Sequence, residues 1–334
     1  MAIVIRPETL AFLTTTQCPI ECKMCCFSCG PSRKEKLPFE LMKDIMHQAK
    51  RLKAEKNTPL RLVGLTGGEP FLRLEDLKAL VNIATSLGFD TSCTTNGFWA
   101  ANEEKAYTVL KELQALGLKK LGLSCDHFHQ EFIPIERIKN ILIAVKRLKL
   151  ATDMGSVITK STADTSFIYK NLKHHMESVP HYTAACLPVG AAKDNIVTDD
   201  YLYDETIFDT KIKCFETKYF SIYEDGEVFS CCSQAGRAAP LSLGNVYSAS
   251  LFEIHNAYYS NIHLRIIKKQ GLAWYVNLAA SLKYKDFKAD AYVNKCHLCN
   301  KIFSDAKFMD IITPFVLEYE NAIYEKYLRG HSNK

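Results

Sequence analysis

Residues 9–25 read Thr9-Leu-Ala-Phe-Leu-Thr-Thr-Thr-Gln-Cys18-Pro-Ile-Glu-Cys22-Lys-Met-Cys25, a short apolar and β-branched run followed at once by three cysteines. The run predicts a strand over 9–15. Three thiols this close cannot lie on one rigid element. They need a loop wrapped around a compact object, and a cubane iron–sulfur cluster fits. Three ligands for four irons leave one iron open, as a reactive cofactor requires. Two other readings stand beside it: zinc held by three thiols and a fourth ligand, and inert buried cysteine. Cys22, Cys26 and Cys29 repeat the same spacing. Cys18, Cys22 and Cys25 are taken as the ligand set because Cys18 follows the strand end most closely, which leaves Cys26 and Cys29 to loop packing.

Outward from this stretch the chain alternates. Further strands are expected over 60–66, 90–95, 119–124, 153–159 and 182–188, each short, apolar or β-branched and bounded by Gly, Pro or polar residues. Helices are expected over 39–53, 74–87, 103–116, 135–148 and 163–177; in the first, Leu41, Ile45 and Ala49 recur at helical spacing. Strand–helix alternation argues for an α/β fold with a parallel sheet and right-handed crossovers. Six strands predict a partial (β/α)6 barrel with its site at the C-terminal strand ends. After residue 200 the pattern changes. Residues 218–232 read as a hairpin about Asp225-Gly226, a strong turn pair. Helical segments follow, over 250–269 and near 315–328. The expected division is a partial barrel over 1–200 and a small auxiliary domain, a β-hairpin plus helices, over 201–334.

Composition narrows the function classes. The 334 residues carry a mild net charge of +5, compatible with an acidic peptide partner, and no basic–aromatic stripe supports nucleic-acid binding. The apolar run at Met1–Arg6 is too short for a signal peptide, and nothing approaches the ~20 apolar residues of a membrane span. The expectation is a cytoplasmic chain without membrane or nucleic-acid partners. In that reducing setting thirteen cysteines in tight clusters favour metal or redox chemistry over disulfides.

A second cysteine set lies downstream: Cys214, Cys231 and Cys232, then Cys296-His-Leu-Cys299. The hairpin presents one thiol before its first arm and one after its second, and the Cys-x2-Cys knuckle closes a four-thiolate site. A zinc knuckle on Cys214, Cys231, Cys296 and Cys299 competes with an iron–sulfur cluster. Consecutive strand residues point to opposite faces. If Cys231 is a ligand, Cys232 is expected to point elsewhere.

The Cys-x3-Cys-x2-Cys loop after the first strand, followed by Thr66-Gly67-Gly68-Glu69-Pro70 at the end of the second, resembles the radical S-adenosylmethionine (SAM) superfamily. The resemblance implies that Gly67, Gly68 and Glu69 bind the SAM amino group. Thr95-Asn96-Gly97 and Ser124-Cys125-Asp126 would line the SAM pocket, with Asn96 on its wall and Ser124 or Asp126 near the ribose; an ordinary turn is the alternative for each. His127 and His129 follow at the barrel mouth and receive no role. From Cys214 through Gly226 to Cys231, the spacing resembles the opening of the SPASM and twitch auxiliary-cluster domains. More narrowly, Cys25-Cys26-Phe27-Ser28-Cys29, Asn96-Gly97-Phe98-Trp99, Val189-Gly190-Ala191-Ala192-Lys193, Asp225-Gly226-Glu227 and Cys231-Cys232-Ser233 resemble radical SAM epimerases of the epipeptide type. That resemblance implies SAM, two [4Fe–4S] clusters, a ribosomal precursor peptide as substrate and an electron donor such as flavodoxin or ferredoxin. It implies Cα hydrogen abstraction, with hydrogen returned by the Cys232 thiol; the alternative for Cys232 is a buried small residue. The rivals are a thioether- or crosslink-forming peptide enzyme and a non-catalytic zinc-binding module.

Overall fold

The computed structural model describes residues 6–209, 212–214 and 216–331, with side chains as far as 325. One nine-stranded sheet runs through it in the order β6-β5-β4-β3-β2-β1-β7-β8-β9. The first six strands are β1 (Thr9–Leu13), β2 (Leu62–Thr66), β3 (Asp90–Thr95), β4 (Leu118–Ser124), β5 (Ala151–Ile158) and β6 (His181–Ala185). All pair in parallel with their sequence neighbours. Helices α1 (Phe39–Lys56), α2 (Leu74–Ser86), α3 (Glu103–Ala115), α4 (His127–Gln130), α5 (Ile135–Leu148) and α6 (Ser166–Leu172) fall between them. The expected open (β/α)6 arrangement is therefore present, with each strand end within a few residues of its sequence-based position.

Local rules explain the main helices. In α5, Ile138, Ile141, Leu142 and Val145 form the buried stripe, and Lys146 and Arg147 close the last turn where cations suit the helix dipole. Asn102 caps α3, its Oδ1 accepting from the Lys105 N–H at 2.8 Å. The β1–β2 register sets Leu13 beside Thr66, and the Thr14 N–H continues the ladder to the Thr66 carbonyl at 2.8 Å. This aligns the C-terminal ends of the parallel strands along one edge, where the candidate site lies.

The second half differs from expectation in its connection. The hairpin, β7 (Tyr219–Ile222) with β8 (Glu227–Phe229), does not stand apart. β7 pairs with β1 in parallel, Thr9 opposite Tyr219, so the auxiliary region extends the barrel sheet. An unexpected strand, β9 (Ser242–Asn245), completes the edge against β8. After α7 (Ala191–Asn195), the remaining helices are α8 (Leu251–Ser260), α9 (Ile262–Gln270), α10 (Ala273–Ser281), α11 (Lys295–Phe303) and α12 (Ala306–His331). The helix expected over 250–269 is two helices, because Asn261 leaves helical geometry and caps α9 by accepting from the Leu264 N–H at 3.0 Å. The helix expected over 163–177 is shorter, ending in a 3-10 turn, and α12 begins well before 315 and runs through Pro314. Among the described residues, no helix is long and apolar enough to cross a membrane.

Candidate functional site

The first cysteine loop is clamped to the sheet edge from two sides. The Gly68 N–H donates to the Thr15 carbonyl at 2.6 Å, and the Glu69 N–H to the Gln17 carbonyl at 2.9 Å. A Cβ on Gly68 would collide with the Gln17 carbonyl, and one on Gly67 with the Thr15 carbonyl. The Gly-Gly pair is thus required by the approach of β2's end to the segment leading into Cys18. From the other side the Ala191 N–H donates to the Cys25 carbonyl at 2.9 Å. Gly190, at φ +59°, leaves no room for a Cβ beside the Cys26 carbonyl. This gives the Val-Gly-Ala-Ala-Lys stretch a physical role: it presses on the cysteine loop.

A cavity of about 320 Å³ opens at this edge. Cys18, Cys22 and Cys25 line it, with Gly67, Gly68, Asn96 and Ser124 from the strand ends. Glu69 and Asp126 do not reach its wall; they stand one layer behind. Glu69 is fully buried: its Oε1 accepts from the Thr95 hydroxyl at 2.8 Å and the Phe71 N–H at 3.1 Å, and its Oε2 from the Asn96 N–H at 2.8 Å. Burial raises its carboxyl to about 7 against those three hydrogen bonds. Asp126 accepts from the His129 N–H and ring Nδ1 at 3.0 and 2.9 Å and from the Val157 N–H at 3.0 Å. Burial pushes its carboxyl up, but the His129 and Val157 contacts outweigh it and hold the group below its usual value. Both carboxylates therefore brace the wall. Sequence reasoning gave His129 no role, yet its ring lines the cavity with Asp126 fixing it from behind.

The thiols are not equivalent. Asn96 Nδ2 donates to Cys18 Sγ at 3.4 Å, and the Cys29 N–H to Cys25 Sγ at 3.4 Å. The Cys29 thiol and N–H lower the Cys25 thiol against the opposing effect of burial. Burial raises Cys18, to about 12, and Cys22. Cys26 and Cys29 also line the cavity, so the second register is within reach of it. Cys29 nonetheless acts here as a donor to Cys25, which suits a cluster bound on Cys18, Cys22 and Cys25. The donor set fits such a cluster: three sulfurs face one cavity, with room left for a further ligand on the Gly67, Gly68 and Asn96 side.

The second cysteine set also converges. Cys214, Cys231, Cys232, Cys296 and Cys299 line one cavity of about 130 Å³ with almost wholly apolar walls. Cys296 and Cys299 come from the start of α11, which Asn294 caps by accepting from the Cys296 and His297 N–H groups at 2.9 and 3.2 Å. Gly236 makes space for Cys231; a Cβ there would stand 2.6 Å from its Sγ. The buried hydroxyl of Thr217, on the same wall, has no partner among the described residues. Among those residues no three His, Cys, Asp or Glu groups are arranged around a single ion. The thiols instead enclose a volume, which a cluster fits. Cys232 does not point away as expected: the residue is exposed, yet it lines the same cavity as Cys231, because the chain leaves β8 at Phe229 and strand alternation no longer applies. Loss of solvent around its sulfur, then the Glu216 carboxylate, raises the Cys232 thiol above its ordinary value.

Comparison with known proteins agrees with this layout. The Radical SAM superfamily matches residues 12–171, and the SPASM iron–sulfur cluster-binding domain matches 214–300. A Bacillus subtilis (strain 168) protein named for peptide biosynthesis, YydG, is 25% identical over 94% of this chain and 98% of its own length. A Saccharolobus islandicus protein named as a GTP 3′,8-cyclase is 35% identical, but over only 46% of this chain and 47% of its own. The solved structure named "Native anSMEcpe with bound AdoMet and Cp18Cys peptide" overlays 95% of this chain and 99% of that one at a TM-score of 0.53, with 16% identity, a likeness of fold. The chain thus carries a Radical SAM domain over residues 12–171, of the superfamily that uses SAM with a [4Fe–4S] cluster, and an iron–sulfur-binding SPASM region over 214–300 joined to the barrel sheet.

Proposed function

We propose that this radical SAM enzyme converts L-residues to D-residues in a ribosomally made peptide, within the cytoplasm, and that the Cys232 thiol returns the hydrogen. Residues 1–200 would form the catalytic unit and 201–334 the auxiliary unit. Cys18, Cys22 and Cys25 would hold one [4Fe–4S] cluster, and Cys214, Cys231, Cys296 and Cys299 a second. Gly67, Gly68, Asn96 and Ser124 would contact SAM, with Glu69 and Asp126 fixing the strand ends behind them. SAM bound at the first cluster supplies a carbon radical able to take the substrate's Cα hydrogen. Full ligation of the second cluster by four cysteines disfavours an open iron for a substrate thiol, and with it the thioether reading. The full-length similarity to a protein named for peptide biosynthesis supports a peptide substrate, as does the Cp18Cys peptide bound in the overlaid structure.

One observation carries the epimerase reading: Cys232 is an exposed residue that lines the auxiliary cavity beside four other cysteines, its thiol raised above its ordinary value by loss of solvent around the sulfur. A thiol that keeps its hydrogen can give it to a planar Cα radical from the face opposite abstraction. The protein's part is to position both partners and exclude water. The test is Cys232→Ala. This variant should keep both clusters and SAM cleavage while D-residue formation collapses and quenched by-products accumulate. In deuterated water the wild-type product should gain one deuterium at Cα. A Cys232→Ala enzyme that still makes D-residues, or a wild-type product two mass units lighter than its substrate, removes the epimerase reading.

A further inference from the structure

The whole-chain charge of +5 is not spread evenly. From the start of α9 to the end of α11, residues 262–303 carry eight Lys and Arg against two Asp, so the rest of the chain is close to neutral. Much of this charge rims two adjoining grooves on α10, of about 580 and 560 Å³, which share Asn277. Lys213 and Lys269 edge the first, whose floor is Ala273, Trp274 and Leu278; Lys283, Lys285 and Lys288 edge the second. Lys285 is paired with Asp290 at 2.8 Å. Among the described residues, no carboxylate stands within ion-pair distance of Lys213, Lys269, Lys283 or Lys288. Asp286 also lines the second groove, so the rim sets five lysines, four of them without an ion pair, against one aspartate. A partly apolar floor with a rim dominated by charge of one sign is the anatomy of a transient, electrostatically steered interface.

The position of this face gives it meaning. At three points the chain lines the auxiliary cavity with one residue and the groove with a near neighbour. Cys214 faces the cavity and Lys213 the groove, as do Ile267 and Lys269, and Leu272 and Trp274. The groove is the outer side of the wall whose inner side carries the auxiliary cysteines. The chemistry of the superfamily also consumes electrons: the SAM sulfonium accepts one, its C5′–S bond breaks, and methionine and a C5′ radical result.

We propose that the basic face of α10 docks a small acidic one-electron carrier protein against the outer wall of the auxiliary cysteine cavity. The inference rests on reductive SAM cleavage and is independent of whether the product is a D-residue. An acidic protein is drawn to such a face over about a Debye length, ~10 Å at 0.1 M salt, so docking weakens as salt rises.

The test replaces Lys269, Lys283 and Lys288 together by Glu in the cluster-loaded full chain, with a purified flavodoxin of strongly negative net charge as the probe. Affinity for the flavodoxin at low salt should fall by about tenfold or more, and the wild-type affinity should itself fall with added salt. SAM cleavage driven by the flavodoxin should drop in parallel, while cleavage driven by dithionite stays at the wild-type rate. Unchanged flavodoxin binding in the variant overturns the proposal. A raised KM for the substrate peptide under dithionite, with flavodoxin binding intact, also overturns it and assigns the face to an acidic peptide segment. Loss of dithionite-driven cleavage in the wild type would instead count against the radical SAM site itself.

Discussion

The two cysteine sites are built in opposite ways. The first draws Cys18, Cys22 and Cys25 from eight consecutive residues. Those thiols are in place as soon as one loop is held, and the sheet edge holds it through the Thr15, Gln17 and Cys25 carbonyls. The second collects Cys214, Cys231, Cys296 and Cys299 from a loop, a hairpin end and a helix start, and only packing of α9 and α11 on the hairpin brings them together. A site of local residues survives damage elsewhere, whereas a site of distant residues depends on tertiary structure and returns stability to it when metal binds.

The largest expected effect follows from the local site. Cys18→Ala, Cys22→Ala or Cys25→Ala should each abolish SAM cleavage, since each would remove one of the three proposed ligands. Cys29→Ala should still cleave SAM, because only the Cys29 thiol's contact with Cys25 is lost while the backbone N–H still donates to Cys25 Sγ. A dead Cys29→Ala beside an active Cys18→Ala would transfer the ligand set to Cys22, Cys26 and Cys29.

The second expected effect is compositional. Reconstituted protein should hold about eight irons per chain, from two four-iron clusters, and Cys296→Ala should lower this toward about four. A wild-type value near four would remove the auxiliary cluster. Thermal stability should also fall in Cys296→Ala far more than in Cys18→Ala, because only the second site ties distant segments together.

Glycines sharpen the contrast. Gly68→Ala drives a Cβ into the Gln17 backbone, which cannot move without carrying the Cys18 loop, and should cost about 2–3 kcal/mol along with most SAM cleavage. Gly236→Ala meets only Cys231 Sγ, a side-chain atom that can swing aside, and should cost less and spare SAM cleavage. Equal losses in urea-unfolding and cleavage assays would contradict the clamp assigned to Gly68.

The same contrast explains what the sequence revealed. The six parallel strands were legible because each is a short apolar or β-branched run between breakers, and the first site because its thiols are contiguous. Asp225-Gly226 announced the hairpin turn, but nothing local announced that β7 would pair with β1, since parallel partners far apart in sequence leave no turn signal. β9 was missed because Ser242–Asn245 is only four residues long and contains a glycine. Glu69 and Asp126 were expected in the SAM pocket from their strand-end motifs, and both stand behind its wall. Sequence alone could not reveal that their oxygens are used up by Thr95, Asn96, His129 and Val157, which approach from other elements.

The smallest expected effect is a pH response at the first site. Its buried acid, Glu69, has a carboxyl raised by burial from 4.5 to about 7. Between pH 4.5 and about 7 the folded chain holds a proton on Glu69 that the unfolded chain has released. Stability must therefore fall as pH rises through that window, with no penalty below it and a constant penalty above it. Glu69→Gln cannot titrate. Comparing urea midpoints of the metal-free proteins at pH 5 and pH 8 isolates the effect, because every other titrating group is common to both. The wild type should lose more stability than Glu69→Gln across the window, by no more than about 3 kcal/mol, the value of a shift of this size. Parallel pH profiles would mean that Glu69 keeps an ordinary carboxyl, and that its three hydrogen bonds offset its burial.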